Sequence, residues 1–346
     1  MEEHKKKGKR SPLARALLAV LLLFLLIGGA AGFYTLHMLG RIERVDSEQE
    51  TWIAAEEEDF EADDPEDPEA GGREDTLAPE KVVWRKPSEP VQEARVHNIL
   101  LIGQDRRPGE TRARSDSMIL CSINEDTKTI TLTSLMRDMY VPFPGKYSDN
   151  RINAAYAFGG MSLLDQLIEE DFGVTIDGNV EVDFDGFVAV MDLIAPLEIE
   201  LNRVEAGYLN KFGDWYLHEG VNAMTGEQLL MYARTRHVGH ADWERTERQR
   251  RVLTTAFEKV KGMSLRELRA LAEAALPCMT TDLTNAEILQ LIYTVAINRI
   301  SIGETYRLPV EGTYTNEIIR GMMVLLPDLQ ENSRLLQEYV YGQGDG

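Results

Sequence analysis

Three short segments of this 346-residue chain place arginine beside aspartate: Asp105-Arg106, Arg114-Ser115-Asp116 and Arg137-Asp138. Each borders an apolar run that reads as a buried strand: HNILLIG ahead of Asp105, SMILCSI after Asp116 and TITLTSL ahead of Arg137. Open α/β sheets bind ligands in the loops that leave their strand ends, so all three pairs stand where chemistry is done. One such pair is ordinarily a structural ion pair, whereas three at strand boundaries suggest a shared task. A second group lies in GEQLLMYARTRHVGHADWERTERQRR, with six arginines against three acids between Arg234 and Arg251. Arg234 and Arg236 point the same way only if a helix opened by Thr225 ends near Ala233 and the chain leaves it extended. A second helix beginning near Trp243 would carry Arg245, Arg248 and Gln249 on one face in its first turns, where unpaired N–H groups favour an anion. Guanidinium forks match phosphate oxygens, and carboxylates hold Mg2+ or Mn2+. The combined chemistry is a diphosphate held by arginines beside an aspartate-bound metal, with a solvated basic helix face as the plainer alternative.

What is missing narrows the field. The chain has no P-loop, dinucleotide fingerprint, paired-histidine zinc helix or Gly-x-Ser-x-Gly elbow. His237 and His240 lie three apart near Asp242 but have no third strong ligand at useful spacing. Two cysteines, Cys121 and Cys278, exclude a disulfide scaffold, and they read either as buried thiols or as a single bridge. A net charge of −21 excludes a general nucleic-acid binder.

The elements that must position these residues alternate strand and helix from about residue 95 onward. INAAYAFGG and MSLLDQLIEEDFG read as helical, the latter closing at Gly173; GNVEVDF and LEIEL read as strands around the helix DGFVAVMDLI. Thr225 with Gln228, Ser264 with Glu267 and Thr284 with Glu287 each open a helix with a capping box. This alternation implies one α/β domain over 95–346 whose mixed central sheet is covered on both faces.

The charge is unevenly distributed. Residues 1–15 carry six basic side chains against two acidic ones, and residues 46–93 carry eighteen acids against four bases. Residues 16–40 contain no formal charge and, as a helix about 37 Å long, exceed a hydrocarbon core of about 30 Å. The expected order is a cytoplasmic basic tail over 1–15, a transmembrane helix over 16–40 and a disordered acidic extracellular linker over 41–94. A cleaved signal peptide is the competing reading of the apolar run.

The segments HNILLIGQDRR, RARSDSMILCSI, LTSLMRDMYVPFPG, RINAAYAFGG, GEQLLMYARTR and DWERTERQRR, in this order, resemble the LytR-CpsA-Psr family across residues 96–260. The resemblance implies an α/β/α sandwich with a hydrophobic pocket for a lipid tail. It also implies transfer of a phosphate-linked glycopolymer, such as wall teichoic acid or capsule, from a polyprenyl diphosphate carrier to peptidoglycan at the cell membrane. Carried onto this chain, Asp105 and Asp116 match the Mg2+-associated acids. Arg114, Arg137, Arg234, Arg236, Arg245 and Arg248 match the arginines around the diphosphate, with Gln249 beside them and Asp242 just before the last group. Asp105, Arg114, Asp116, Arg137, Asp242 and Arg248 are the implied catalytic set, with Asp105 and Asp242 both open as general base. The chain departs from the family at Ala195-Pro196-Leu197, where a Gly-Gly-Val turn is usual, and the likeness weakens beyond Lys261. A polyprenyl diphosphate phosphatase and a non-catalytic wall-binding or sensory membrane protein are the alternative functions.

Overall fold

The computed structural model of the chain describes residues 34–54, 74–85, 91, 95–104, 112–236, 238 and 242–342. Its centre is a seven-stranded sheet. In chain order the strands are β1 (Glu43–Arg44), β2 (Val96–Gln104), β3 (Ser115–Asn124) and β4 (Thr129–Leu135). Outside the sheet lie β5 (Tyr140–Val141) and β6 (Asn150–Arg151), then β7 (Gly178–Asp183) returns to it. A side hairpin of β8 (Leu197–Leu201) and β9 (Gly220–Met224) precedes β10 (Met279–Thr281) and β11 (Ser301–Leu308). The sheet order is β1-β10-β7-β2-β3-β4-β11, mixed as expected, with β2 parallel to β7 and antiparallel to β3. A last hairpin joins β12 (Tyr314–Ile319) to β13 (Met322–Pro327).

Alternation along β3 builds two cores. Met118 and Leu120 face α1 (Asn153–Phe172), whose Leu163, Leu164, Leu167 and Phe172 are buried with them. Ile119 and Ile123 face the opposite side. There they meet Leu253 and Phe257 of α5 (Asp242–Lys261) and Leu291 and Val295 of α7 (Asn285–Asn298). Each fully buried side chain of this size contributes about 1.5–3 kcal/mol. The sandwich is therefore layered α/β/α. A third cluster packs α2 (Phe184–Ile194), α3 (Arg203–Leu209) and α4 (Gly226–Arg234) against the β8–β9 hairpin and the Val252–Ala256 side of α5.

The local signals are met. All three capping boxes form, at Thr225, at Ser264 ahead of α6 (Leu265–Ala275) and at Thr284. Gly173 closes α1 in the left-handed conformation at φ 67°. The expected break between two helices survives as a kink, because Gly160 at φ 67° interrupts α1.

The linker expectation is corrected at its described stretches. Residues 41–54 and 74–85 are docked on the domain, because apolar side chains scattered among the acids are enough to seat them. The strand β1 pairs with β10, and Ile53 N–H donates to Phe158 O at 2.8 Å. Trp52 and Ile53 pack on the main core, and the Glu50 carboxylate accepts from Ser162 N–H at 3.0 Å, on the backbone freed by the Gly160 kink. Trp84 donates Nε1 to Asp149 at 2.7 Å and stacks on Tyr140. Residues 55–73 and the apolar segment up to residue 33 lie outside the described residues, and no described helix is long and apolar enough to cross a membrane.

The docked segments generate a measurable difference. A chain beginning at residue 95 lacks β1, Trp52 and Trp84. It should melt several degrees below a chain beginning at residue 34 in differential scanning fluorimetry, whereas equal Tm values would mean that these segments add nothing to the fold.

Candidate functional site

The C-terminal ends of β2, β4, β7 and β11 and the N-terminal end of β3 share one rim of the sheet, and this rim gathers the charged residues. Asp116, second residue of β3, accepts from Arg137 Nη1 at 2.8 Å, two residues past the end of β4. Arg236 Nη2 lies 3.6 Å from the same oxygen. Burial pushes Asp116 upward, but Arg137, Arg245 and Arg236 outweigh it and hold the carboxyl below its ordinary value. The Nε of Arg137 also reaches Asp138 at 3.4 Å, and the buried Arg151 contacts that same carboxylate at 3.3 Å. Four guanidiniums thus surround two carboxylates, which leaves the rim positive.

Local backbone explains this convergence. The helix α4 ends at Arg234, and Thr235 at φ −61°, ψ 123° is extended, so Arg234 and Arg236 do project together while Thr235 turns inward. Only Arg236 reaches Asp116, however; Arg234 lies over the Phe184 ring at 4.1 Å. Arg245 is buried in the first turns of α5, and Gln249 one turn on accepts from Ser117 Oγ at 3.2 Å. Arg114 sits 5.9 Å over the Phe158 ring.

Arg248 does not join this group, which corrects its expected place at the diphosphate and in the catalytic set. Its guanidinium, 2% exposed, donates to Glu205 at 2.8 Å and Glu244 at 2.7 Å and to the carbonyls of Thr235 and Val238. Three residues along a helix rotate a side chain by about −60° and four by about +40°, so Arg248 diverges from Gln249 by a quarter turn or more. It locks the α4–α5 connection against α3 and so positions Arg236. Beyond it opens a cavity of about 670 Å3 whose walls include Glu200, Glu205, Glu219, Glu244 and Glu247. Five carboxylates against Arg248 and Arg251 make this lining acidic, in contrast to the rim.

The loop carrying Asp105 lies outside the described residues, as do the Asp242 side chain and the histidines His237 and His240. Its two ends are nonetheless pinned: Gln104 Oε1 accepts from Ala113 N–H at 2.9 Å, and Gln104 Nε2 donates to Glu181. Tyr156 donates to the other Glu181 oxygen, and burial followed by the Glu181 charge pushes its hydroxyl pKa well up. Arg151 was missed as a site residue, although it opens the noted segment RINAAYAFGG; only its antiparallel pairing with Tyr140 brings it to Asp138.

Asp116 stays ionised and supplies a hard oxygen, which suits Mg2+ shared with a phosphate, an ion that typically takes one or two carboxylates. Among the described residues no group of three or more His, Cys, Asp or Glu is placed to hold a metal alone. Cys121 is partly buried, and its desolvation pushes the thiol up to about 12; both cysteines are free.

Fold and rim together define an α/β/α domain with an arginine-rich cluster at its strand ends. The chain belongs to the LytR-CpsA-Psr family, whose profile matches residues 61–339 and so extends past Lys261 into the C-terminal part. Among relatives, it is 29% identical over 218 residues to the regulatory protein MsrR of Staphylococcus aureus, spanning 63% of this chain and 65% of MsrR. It is 29% identical over 227 residues to the polyisoprenyl-teichoic acid–peptidoglycan teichoic acid transferase TagU of Halalkalibacterium halodurans, spanning 64% of this chain and 72% of that one. The fold matches a TagT structure bound to the ligand LIIa-WTA at TM-score 0.59 and 24% identity, over 74% of this chain and 97% of that one. A TagT structure with bound octaprenyl pyrophosphate matches at TM-score 0.56 and 23% identity, over 74% and 96%.

Two outcomes test this geometry. Glu205→Gln strips one of two carboxylates from a buried guanidinium and should cost about 1.5–3 kcal/mol in urea unfolding; a loss under 1 kcal/mol would remove Arg248 as the lock. Asp116 has a depressed pKa in the fold, so its contribution is present above the unfolded value of about 3.9 and is lost as pH falls through the folded value. The Asp116→Asn variant should therefore lose less stability than wild type below pH 4, and parallel curves would contradict the ion cluster.

Proposed function

We propose that the chain transfers a phosphate-linked anionic glycopolymer from a polyprenyl diphosphate carrier to a peptidoglycan hydroxyl outside the membrane. The observation that carries this reading is the positive rim, with Arg137, Arg236 and Arg245 arrayed around an ionised Asp116. The TagU relative, named a teichoic acid transferase, points to the same class of reaction.

In this reading the acceptor hydroxyl attacks the phosphorus bonded to the polymer, and polyprenyl monophosphate leaves. Arg137, Arg236 and Arg245 bind the diphosphate oxygens and offset the charge that develops on the leaving phosphate. Asp116, with Asp105, would hold Mg2+, which when bound neutralises phosphate charge. Asp116 meanwhile keeps the three guanidiniums from repelling one another, and Asp105 or Asp242 takes the acceptor proton. Arg114 and Arg234 extend the positive border. The apolar run over 16–40 anchors the domain at the membrane where its lipid substrate lies, with the N-terminus cytoplasmic.

The test uses the full chain in detergent with a polyprenyl diphosphate-linked saccharide, Mg2+ and peptidoglycan fragments, with products followed by mass spectrometry. Wild type should release polyprenyl monophosphate together with glycosylated fragment, and Arg137→Gln and Arg236→Gln should each slow this about 10- to 100-fold. Monophosphate without a glycosylated fragment would instead support the phosphatase, and bound lipid without turnover the sensor.

A further inference from the structure

A second pair of arginines meets just beside the Asp116 cluster, on the α5 face of the sheet. Arg250, 7% exposed, donates Nη1 to Ser134 Oγ of β4 at 2.7 Å. Arg307 of β11 is in register with Ser134 and lays its guanidinium over the Trp243 ring at 3.7 Å. Trp243 in turn meets the Tyr314 ring at 5.0 Å, the two rings tilted by 36°.

Among the described residues neither arginine forms an ion pair, and the Nε of each is buried without an acceptor. The nearest acids act only at a distance, Glu247 on both and Glu311 on Arg307. Burial, and then the charge of Arg307, push Arg250 down to about 10. Two like charges held together with desolvated donors are costly unless an anion shares them. Contrast Arg248, an equally buried guanidinium whose donors are met by two carboxylates and two carbonyls. Stacking on Trp243 uses the face of Arg307 and leaves its N–H edge for a ligand, and a tetrahedral phosphate can accept from two forks at once. Ser134 lies three residues before Arg137 on the same strand end, so this pair borders the rim on its β11 side.

We propose that Arg250 and Arg307 form a second phosphate site, which takes a phosphodiester of the glycopolymer while the Asp116 cluster takes the lipid diphosphate. The proposal rests on the transferase reading for its ligand, though not for its anion chemistry. A site of this kind makes the enzyme select carriers by the phosphate content of their polymer, because a neutral glycan leaves both guanidiniums unmatched.

Binding to the full chain in detergent should be measured with three probes: polyprenyl diphosphate without saccharide, the same lipid bearing a glycerol-phosphate-containing saccharide, and a lipid-free glycerol phosphate oligomer. Arg307→Gln is the main variant because Arg307 is half-buried, with Arg307→Lys to retain charge and melting curves to confirm folding. Arg307→Gln should weaken the polymer-bearing lipid and the oligomer about tenfold, leave the bare lipid unchanged, and be partly rescued by Arg307→Lys. Equal weakening of bare and polymer-bearing lipid would assign the pair to the diphosphate site and overturn the proposal, as would no weakening at all. If wild type binds neither lipid, the transferase reading fails by itself. Loss of oligomer binding in Arg307→Gln would then still sustain the phosphate site, and a wild type blind to the oligomer would overturn it.

Discussion

An ionised carboxylate between converging guanidiniums is stable only while each guanidinium is held from a different direction, since the arginines repel one another as strongly as they attract the acid. At an effective dielectric of about 20, charges about 4 Å apart interact by about 4 kcal/mol of either sign. Asp116 is in that position, and the elements around it act as its supports. Arg137 comes from the end of β4, Arg236 from an extended exit of α4 and Arg245 from the start of α5. The antiparallel register of β3 with β4, in which Met118 pairs with Leu135, sets how far Arg137 extends past the sheet. Arg248 ties the α4 exit to α5 by donating to the Thr235 and Val238 carbonyls, and Glu205 at the capped start of α3 neutralises it.

The positive rim belongs to a strongly acidic protein, and the two facts are compatible because the charges are segregated. Eighteen acids lie in residues 46–93, and the glutamates around the 670 Å3 cavity lie beyond Arg248, away from the rim. Screening over about 8 Å at physiological ionic strength leaves a local guanidinium cluster able to bind an anion whatever the distant net charge. The same segregation explains why docking of residues 41–54 and 74–85 escapes a reading by composition. Averaging over a charge-rich stretch hides Trp52, Ile53 and Trp84, whose burial decides the outcome.

Much of the architecture was legible because its signals are local. Thr225, Ser264 and Thr284 cap their helices with a glutamine or glutamate three residues on, Gly173 takes the left-handed closing position, and alternation along SMILCSI supplies one face to each core. Of the candidate site, the strand-end pairs and the side-by-side projection of Arg234 and Arg236 could be read from spacing. The surroundings of Arg248 and Arg250 could not, since DWERTERQRR contains four arginines of identical chemistry. Arg248 faces two carboxylates, Arg250 faces a serine and another arginine, and Arg251 donates to the Tyr232 hydroxyl.

The sequence by itself determined the class of fold, the strand ends that carry charge and the family likeness, because hydrophobic periodicity and capping act over a few residues. Only the tertiary structure decided which guanidiniums meet acids and which meet a serine or an aromatic ring. That distinction depends on residues far apart in the chain, such as Glu205 for Arg248 and Trp243 for Arg307. The electrostatic worth of an arginine is fixed by burial and by its neighbours in space, and neither is encoded within the reach of a local motif.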